Sequence, residues 1–167
     1  VLRAPNFSIQ VNRVYYCIFQ GTKRVVDNDL PQRIEFFSAT YSTFKDGGIY
    51  YDTFILPVRT EFKKFLPKEK DLSINSLDRT IRIGDMRADI SRAASLARRF
   101  TEWEFARHVI ARELQEKDVI VTDGTLQTTY SNEWKYAKRA FAAAKRKNVI
   151  FTGMAKTSNL YTTTGLS

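Results

Sequence analysis

Val119-Ile120-Val121-Thr122-Asp123-Gly124-Thr125-Leu126 is the stretch that decides the fold of this chain. Its β-branched apolar run ends abruptly in a carboxylate and a glycine, and a helical pattern follows. This order predicts a buried parallel strand that delivers Asp123 to a loop at its C-terminal end. In open α/β sheets, ligands and reacting groups collect at the carboxyl ends of strands, which makes Asp123 a candidate for chemistry. The alternative is an Asp-Gly pair that only forms a turn.

The composition describes a globular domain with a basic surface. We expect residues 1–167 to form one domain, because this length supports a single core and is short for two. A 43% apolar content with 12 Phe, 8 Tyr and 2 Trp excludes a disordered polyelectrolyte. Lys and Arg outnumber Asp and Glu by 27 to 18, a net charge of +9. This surplus favours a polyanionic partner such as DNA over a basic surface that is merely solvated.

The chain holds one cysteine, Cys17, and one histidine, His108. A single cysteine allows no intrachain disulfide, which fits a reducing compartment, and we expect a cytoplasmic protein. A single histidine gives the chain few side chains with which to build a His-rich zinc site or a Ser-His-Asp triad. No stretch has the length of a membrane span and no signal-peptide pattern opens the sequence, so we expect no membrane partner.

The first third of the chain predicts an antiparallel β-meander. Its connections are too short for crossovers, and Asp46-Gly47-Gly48 is a hairpin signal. The predicted strands cover residues 9–20, 23–26, 34–41 and 49–58. Residues 60–86 are charged and broken by Pro67 and Gly84, and they predict a surface excursion within the domain.

From about Arg87 the apolar period becomes helical. One stripe reaches to about Glu116 and contains Leu96, Phe100, Trp103, Ile110 and Leu114. Asn132 is expected to cap a second amphipathic helix that ends at Asn148, with an inner face of Trp134, Ala137, Phe141 and Ala144. Residues 149–153 predict another short buried strand, so that strand, helix and strand form a right-handed parallel crossover.

One carboxylate makes no metal site, so the partners of Asp123 matter. From Glu102 to Glu116 is about 21 Å of helix, and from Asp118 to Asp123 is about 17 Å of strand. If helix and strand run back to back, Glu102 and Glu104 both return to the level of Asp123. They point about 200° apart on the helix, so only one can face the site, and periodicity leaves open which one.

Carboxylates that converge on one point repel each other, and their natural function is to hold Mg²⁺ or Mn²⁺ against a substrate phosphate. The alternative for each glutamate is a solvated helix face. Lys156 follows the next predicted strand, and adjacent parallel strands should place its ammonium beside Asp123 to steady a scissile phosphate. An ordinary loop lysine is the alternative. The basic exterior and the acids together suggest metal-assisted phosphodiester hydrolysis.

Several stretches resemble the NurA nuclease family. They are Arg99-Phe100-Thr101-Glu102, the stretch 119–126, and Val149-Ile150-Phe151-Thr152-Gly153-Met154-Ala155-Lys156-Thr157-Ser158. The early Tyr15-Tyr16-Cys17-Ile18-Phe19-Gln20-Gly21 is similar to the stretch that follows the family's first Asp-Gly-Ser motif. The resemblance implies an RNase H-like fold of the α/β class, with a mixed sheet whose antiparallel strands come first, parallel strands later, and helices on the faces.

The resemblance further implies a manganese-dependent nuclease that acts on DNA ends as an exonuclease and single-strand endonuclease. It implies a homodimer that works with the hexameric ATPase HerA in DNA end resection and double-strand-break repair. Asp123 matches the metal-binding Asp of an Asp-Gly-[Ser/Thr]-Leu motif, Glu102 matches the preceding acid, and Lys156 matches the basic residue after the next strand. Glu104 remains the fallback for the acid.

The family's first catalytic Asp is expected before Val1, and its late Tyr and His region beyond Ser167. We therefore expect these 167 residues to hold at most two of the metal ligands and to cleave DNA poorly or not at all in isolation. The alternative function is a non-catalytic RNase H-like module that binds nucleic acid or docks on an ATPase ring.

Overall fold

A computed structural model of the chain describes residues 7–20, 22–24, 32–83 and 87–155. These residues form an antiparallel sheet, a separate parallel pair of strands, and helices. The mixed α/β class predicted from the sequence is confirmed. The prediction of one mixed sheet is wrong for the described residues, because the antiparallel and parallel strands do not hydrogen-bond to each other.

The chain enters the antiparallel sheet through β1 (Phe7–Tyr16). A small hairpin of β2 (Phe19–Gln20) and β3 (Lys23–Arg24) follows, which confirms the predicted pairing for these residues. Val25 and Val26, the rest of that predicted strand, lie outside the described residues.

The two long central strands are β4 (Gln32–Lys45) and β5 (Gly48–Pro57). Both pair antiparallel, β4 with β1 and β5 with β4, so the predicted meander is confirmed. The hairpin at Asp46-Gly47 is also confirmed, with φ of +50° and +75° at these residues. Asp and Gly tolerate this left-handed backbone better than other residues, which is why the dipeptide marks the turn.

The segment 60–86 is more than the predicted surface excursion. Its described part holds the 3₁₀ helices Thr60–Phe65, Glu69–Asp71 and Arg79–Ile81. Its strands are β6 (Ser73–Asn75), which extends the sheet beside β5, and β7 (Arg82–Ile83), which pairs with β8 (Arg87–Ala88). Four of its apolar side chains are buried in the core, namely Phe65, Leu72, Ile74 and Ile81. These four residues recur at no regular spacing and lie among charged residues, so the sequence pattern did not indicate that they are buried. Gly84, the predicted break, lies outside the described residues.

Three helices follow, α1 (Ile90–Ala94), α2 (Leu96–Arg112) and α3 (Glu133–Lys147). The helices α1 and α2 pack on the inner face of the sheet, and α3 packs on α2. The predicted stripe is confirmed as core, with Leu96, Phe100, Trp103, Ile110 and Leu114 all buried, although α2 already ends at Arg112. Across the part of the chain that the structure describes, no helix combines the length and apolar character needed to cross a membrane.

The inner face of α3 differs from the predicted one. Ala137 and Ala144 are buried as predicted, whereas Trp134 is 56% exposed and Phe141 is 38% exposed. Tyr136 takes the inner position instead, because its ring packs on Phe100 at 5.0 Å between centroids and its hydroxyl reaches a buried carboxylate. A partner 65 residues away in sequence therefore sets the rotation of this helix.

Both ends of α3 use a left-handed backbone. Asn148 has a φ of +54° and ends the helix, as predicted. Asn132 stands at the N-cap position with a φ of +68°, but its side chain does not cap the helix. It donates to the Asp71 carbonyl oxygen at 3.4 Å, so its predicted capping role is wrong.

The last two strands, β9 (Val119–Asp123) and β10 (Ile150–Met154), pair in parallel, as the sequence predicted. They are not fully buried, however. Ile120 and Phe151 pack against the core, while Val119 and Val121 are 53% and 52% exposed. Among the described residues, helices therefore cover one face of this pair.

Candidate active site

Asp123 is the last residue of β9 and lies beside Met154 of β10. Gly124 follows with a φ of +97°, and its N–H donates to the Met154 carbonyl oxygen at 2.9 Å. Asp123 thus stands at the carboxyl end of the parallel pair, where the sequence placed it. The turn at Gly124 agrees equally with the Asp-Gly turn interpretation, and the two features coexist.

Gly153 makes room for this turn. A Cβ at Gly153 would lie 2.4 Å from the Gly124 carbonyl oxygen and 3.3 Å from Leu126 Cγ. Real Cβ atoms do not approach a carbonyl oxygen so closely, so any side chain at this position would displace the loop after Asp123. The position of Asp123 therefore depends on a glycine in the neighbouring strand.

Glu102 is the acid of α2 whose pKa responds to Asp123. Burial raises the pKa of Glu102, the charges of Arg98 and Arg99 oppose this, and the negative charge of Asp123 adds a smaller upward effect. The charge of Asp123 therefore acts on Glu102, one of the two acids that helical periodicity left open.

Glu104 lies on the other side of α2, toward α3. It is only 5% exposed, and it forms ion pairs with Arg107, at 2.8 Å, and with Arg139 of α3. Two guanidinium groups compensate the buried carboxylate, as such burial requires. The fallback assignment of Glu104 as the partner of Asp123 therefore finds no support, and its contacts serve the packing of α2 on α3.

Two arginines flank Glu102. Arg98 forms an ion pair with it one helical turn away, and Arg99 Nη1 lies 3.6 Å from its Oε2. Arg99 Nη2 also donates to the carbonyl oxygens of Thr125 and Gln127, each at 3.0 Å. Arg99 therefore ties the acid on α2 to the loop that follows Asp123.

Arg99 is held in turn by Glu133, whose carboxylate is completely buried. Its Oε1 accepts hydrogen bonds from Arg99 Nε and Trp103 Nε1, both at 2.7 Å. Its Oε2 accepts from the backbone N–H groups of Thr129, at 2.8 Å, and Tyr130, at 3.1 Å. This carboxylate fixes the entry of α3 as well as the arginine.

Sequence reasoning missed the functions of Arg99 and Glu133. Arg99 lies in the stretch Arg99-Phe100-Thr101-Glu102, where the sequence pattern points to Glu102 alone as a site residue. Glu133 follows Asn132 as an ordinary first-turn acid, and nothing local connects it to an arginine 34 residues earlier.

The remaining predicted residue, Lys156, lies outside the described residues, which end at Ala155. Within the described ranges, no group of three or more His, Cys, Asp or Glu side chains is arranged to hold a metal ion. Glu102 and Asp123 supply two carboxylates whose like charges repel each other. Such a pair fits a hard cation such as Mg²⁺ or Mn²⁺ that completes its shell with water and phosphate oxygens.

Comparison with known proteins assigns the chain to no family, since no family model, curated protein or solved structure matches it.

Proposed function

We propose that this chain contributes metal-binding carboxylates to the active site of an RNase H-like, metal-dependent deoxyribonuclease that hydrolyses DNA phosphodiester bonds with Mn²⁺ or Mg²⁺. The proposal depends on one observation above all: Asp123 stands at the carboxyl end of β9, and its negative charge acts on Glu102 of α2. Two acids whose like charges act on each other are candidates for cation binding, and Arg98 and Arg99 compensate Glu102 when no cation is bound. The net charge of +9 supports a polyanionic substrate.

In this function Glu102 and Asp123 hold the cation. A bound cation would polarise the scissile phosphate and lower the pKa of the attacking water. Arg98 is half-exposed and forms an ion pair with Glu102, so it can transfer its N–H donors to a phosphate oxygen once Glu102 is engaged. Arg99 contacts both Glu102 and the loop after Asp123, so it fixes their positions relative to each other.

The wider role that we propose is DNA end resection in double-strand-break repair in the cytoplasm. In this role the protein is a homodimer with exonuclease and single-strand endonuclease activity, and it works with a HerA-type ATPase. The support for this role is the resemblance of residues 98–126 and 149–158 to the NurA family.

The test is a calorimetric titration with Mn²⁺ of the wild type, Asp123→Asn and Glu102→Gln. The matched control is Glu113→Gln, which changes an exposed acid at the end of α2. We expect both site variants to lose the binding seen in wild type and the control to retain it, with circular dichroism unchanged in all. Binding that survives in Asp123→Asn, or a wild type that binds no Mn²⁺, would overturn the proposal.

A second candidate function is a non-catalytic module that docks on an ATPase ring, and the outer face of the antiparallel sheet favours it. This face is apolar across β1, β4 and β5, where two rows lie in register: Ile9, Ala39 and Phe54, then Val11, Phe37 and Leu56. An exposed apolar patch that extends over three strands is typical of an interaction surface.

The docking function has its own test. In a sedimentation experiment with a purified HerA-type hexamer, we expect Phe37→Asp to prevent co-sedimentation and Phe44→Asp, at an exposed residue off these rows, to preserve it. Docking without Mn²⁺ binding would favour this second function over the nuclease. Equal docking by both variants would exclude the outer face as the contact surface.

A further inference from the structure

Aromatic and cationic side chains alternate along the outer face of α3. We call Trp134, Lys138, Phe141 and Lys145 the α3 stripe. Their spacings of four, three and four residues place them on one face of the helix. Together with the loop after Asp123, they line an open groove of about 790 Å³.

The two aromatic rings of the α3 stripe differ in how they are held. Phe141 contacts Trp103, with centroids 5.6 Å apart, and Phe151, at 5.3 Å, so its ring is anchored while 38% of the residue stays exposed. Trp134 is 56% exposed, and Lys138 Nζ lies 6.0 Å from its ring centroid. An exposed indole beside a cation is suited to stack on a flat ring from outside the protein.

The lysines of the α3 stripe differ in their pairing from the other cations of α3. In the residues that the structure describes, no carboxylate pairs with Lys138 or Lys145, whereas Lys135 pairs with Asp71 at 3.0 Å and Arg139 pairs with Glu104. The groove therefore presents two ammonium groups whose natural counterions are anions from outside, such as phosphates.

The groove borders the loop that follows Asp123. Its lining includes Leu126, Gln127 and Thr128, which come shortly after Asp123 in the chain. Arg99, the residue that contacts Glu102, donates to the Gln127 carbonyl oxygen of this loop. The loop therefore connects the groove to both carboxylates of the candidate site.

We propose that the α3 stripe binds single-stranded DNA, with bases stacked on Trp134 and Phe141 and phosphates against Lys138 and Lys145. The inference rests on the proposed nuclease function, because the single-stranded DNA bound by the α3 stripe would be the substrate of the site at Asp123. Alternation of stacking rings and cations is the usual arrangement for sequence-independent binding of single strands. A duplex would not use the rings, since its bases are already stacked.

The spacing of the α3 stripe agrees with this ligand. Trp134 and Phe141 are seven residues apart, which is about 10.5 Å along a helix. Lys138 and Lys145 repeat at the same interval, so each ring has an ammonium group about one helical turn further along α3.

Fluorescence anisotropy of a labelled thymidine oligonucleotide of about 15 nucleotides tests the inference, since this length covers a typical single-strand site. The full chain is titrated in EDTA, so that no divalent cation contributes to binding. We expect Trp134→Ala to weaken binding about tenfold, the loss of one stacked base. Lys138→Ala and Lys145→Ala should each reduce the slope of log K against log salt by about 0.7.

The matched controls remove an aromatic ring and a lysine elsewhere on the surface. Phe44 is 78% exposed on the antiparallel sheet, and Lys63 is exposed in the first 3₁₀ helix. Phe44→Ala and Lys63→Ala should leave affinity and salt slope unchanged. Wild-type affinity in Trp134→Ala would overturn the inference, as would a blunt duplex that depends on Trp134 to the same degree.

Two further results separate the failure of this inference from the failure of the proposed function. If Mn²⁺ binding is lost in Asp123→Asn but Trp134→Ala binds the oligonucleotide normally, the α3 stripe is excluded and the nuclease stands. If Trp134→Ala weakens oligonucleotide binding but wild type binds no Mn²⁺, the strand site is supported and the nuclease is excluded. A change in molar mass by light scattering in Trp134→Ala would instead identify the groove as a contact between copies and overturn the inference.

Discussion

Arg99 and Glu133 join α2 to α3 through an ion pair of 2.7 Å in which the Glu133 carboxylate is completely buried. The same guanidinium donates to the carbonyl oxygens of Thr125 and Gln127. The packing of the two helices and the path of the loop after Asp123 therefore depend on one charge pair.

We predict that Glu133→Gln lowers the free energy of unfolding by about 3–5 kcal/mol, the usual cost of removing one partner from a buried pair. The amide removes the charge opposite Arg99, and it cannot accept hydrogen bonds at both ends of the group. Chemical denaturation measures the change. Glu61→Gln is the control, because the Glu61 side chain is 63% exposed. Equal denaturation midpoints for the two variants would contradict the assigned function of Glu133.

We predict that Asp123→Asn lowers the pKa of Glu102. Burial raises this pKa, and the negative charge of Asp123 raises it further, so removal of that charge must act downward. A carboxyl-detected NMR titration measures the shift. Asp118→Asn, which removes a charge just before β9, is expected to leave the pKa of Glu102 unchanged. If both variants shift it equally, the charge of Asp123 has no specific effect on Glu102.

Asp71 and Tyr136 predict how stability depends on acid pH. Burial tends to raise the pKa of Asp71, but hydrogen bonds from Tyr136, at 2.7 Å, and Lys135, at 3.0 Å, outweigh it and lower the pKa. A lowered pKa stabilises the folded state above the unfolded value of about 3.9, and this contribution is lost as the pH falls through the folded pKa.

Tyr136→Phe should therefore lower the free energy of unfolding by about 1–3 kcal/mol at neutral pH, the cost of an unsatisfied buried acceptor. The difference from wild type should shrink as the pH falls and Asp71 becomes protonated. Denaturation curves at several pH values measure both effects. Tyr15→Phe, at a 65% exposed residue, should match wild type throughout. A Tyr136→Phe effect that is independent of pH would show that the hydroxyl does not act through Asp71.

We predict that Gly153→Ala lowers the free energy of unfolding by about 1–3 kcal/mol, as overpacking usually does. The added Cβ would lie 2.4 Å from the Gly124 carbonyl oxygen, so the loop must move and Asp123 with it. Mn²⁺ binding should weaken in parallel. In the control Gly48→Ala, the atom nearest to the added Cβ belongs to the movable ring of Tyr50, at 3.3 Å. Wild-type stability of Gly153→Ala would contradict the close approach of the two strand ends.

Local patterns predicted much of the fold because their causes are local. The Asp46-Gly47 hairpin follows from two residues that tolerate positive φ, and the buried stripe of α2 follows from helical periodicity. The same patterns misjudged α3, where Trp134 and Phe141 had the right spacing for an inner face. Tyr136 occupies that face because of its contacts with Phe100 and Asp71, which lie far away in the chain.

The sequence by itself determined the antiparallel meander, the parallel pair β9 and β10, and the position of Asp123 at the end of a strand, since apolar patterns, turn residues and connection lengths specify these elements and their order. Only the tertiary structure decided that Glu104 packs against α3, that the charge of Asp123 acts on Glu102, and that Arg99 pairs with Glu133. Helical periodicity specifies which residues share a face. The direction in which that face points is set by packing against elements that are distant in sequence, and no local pattern records it.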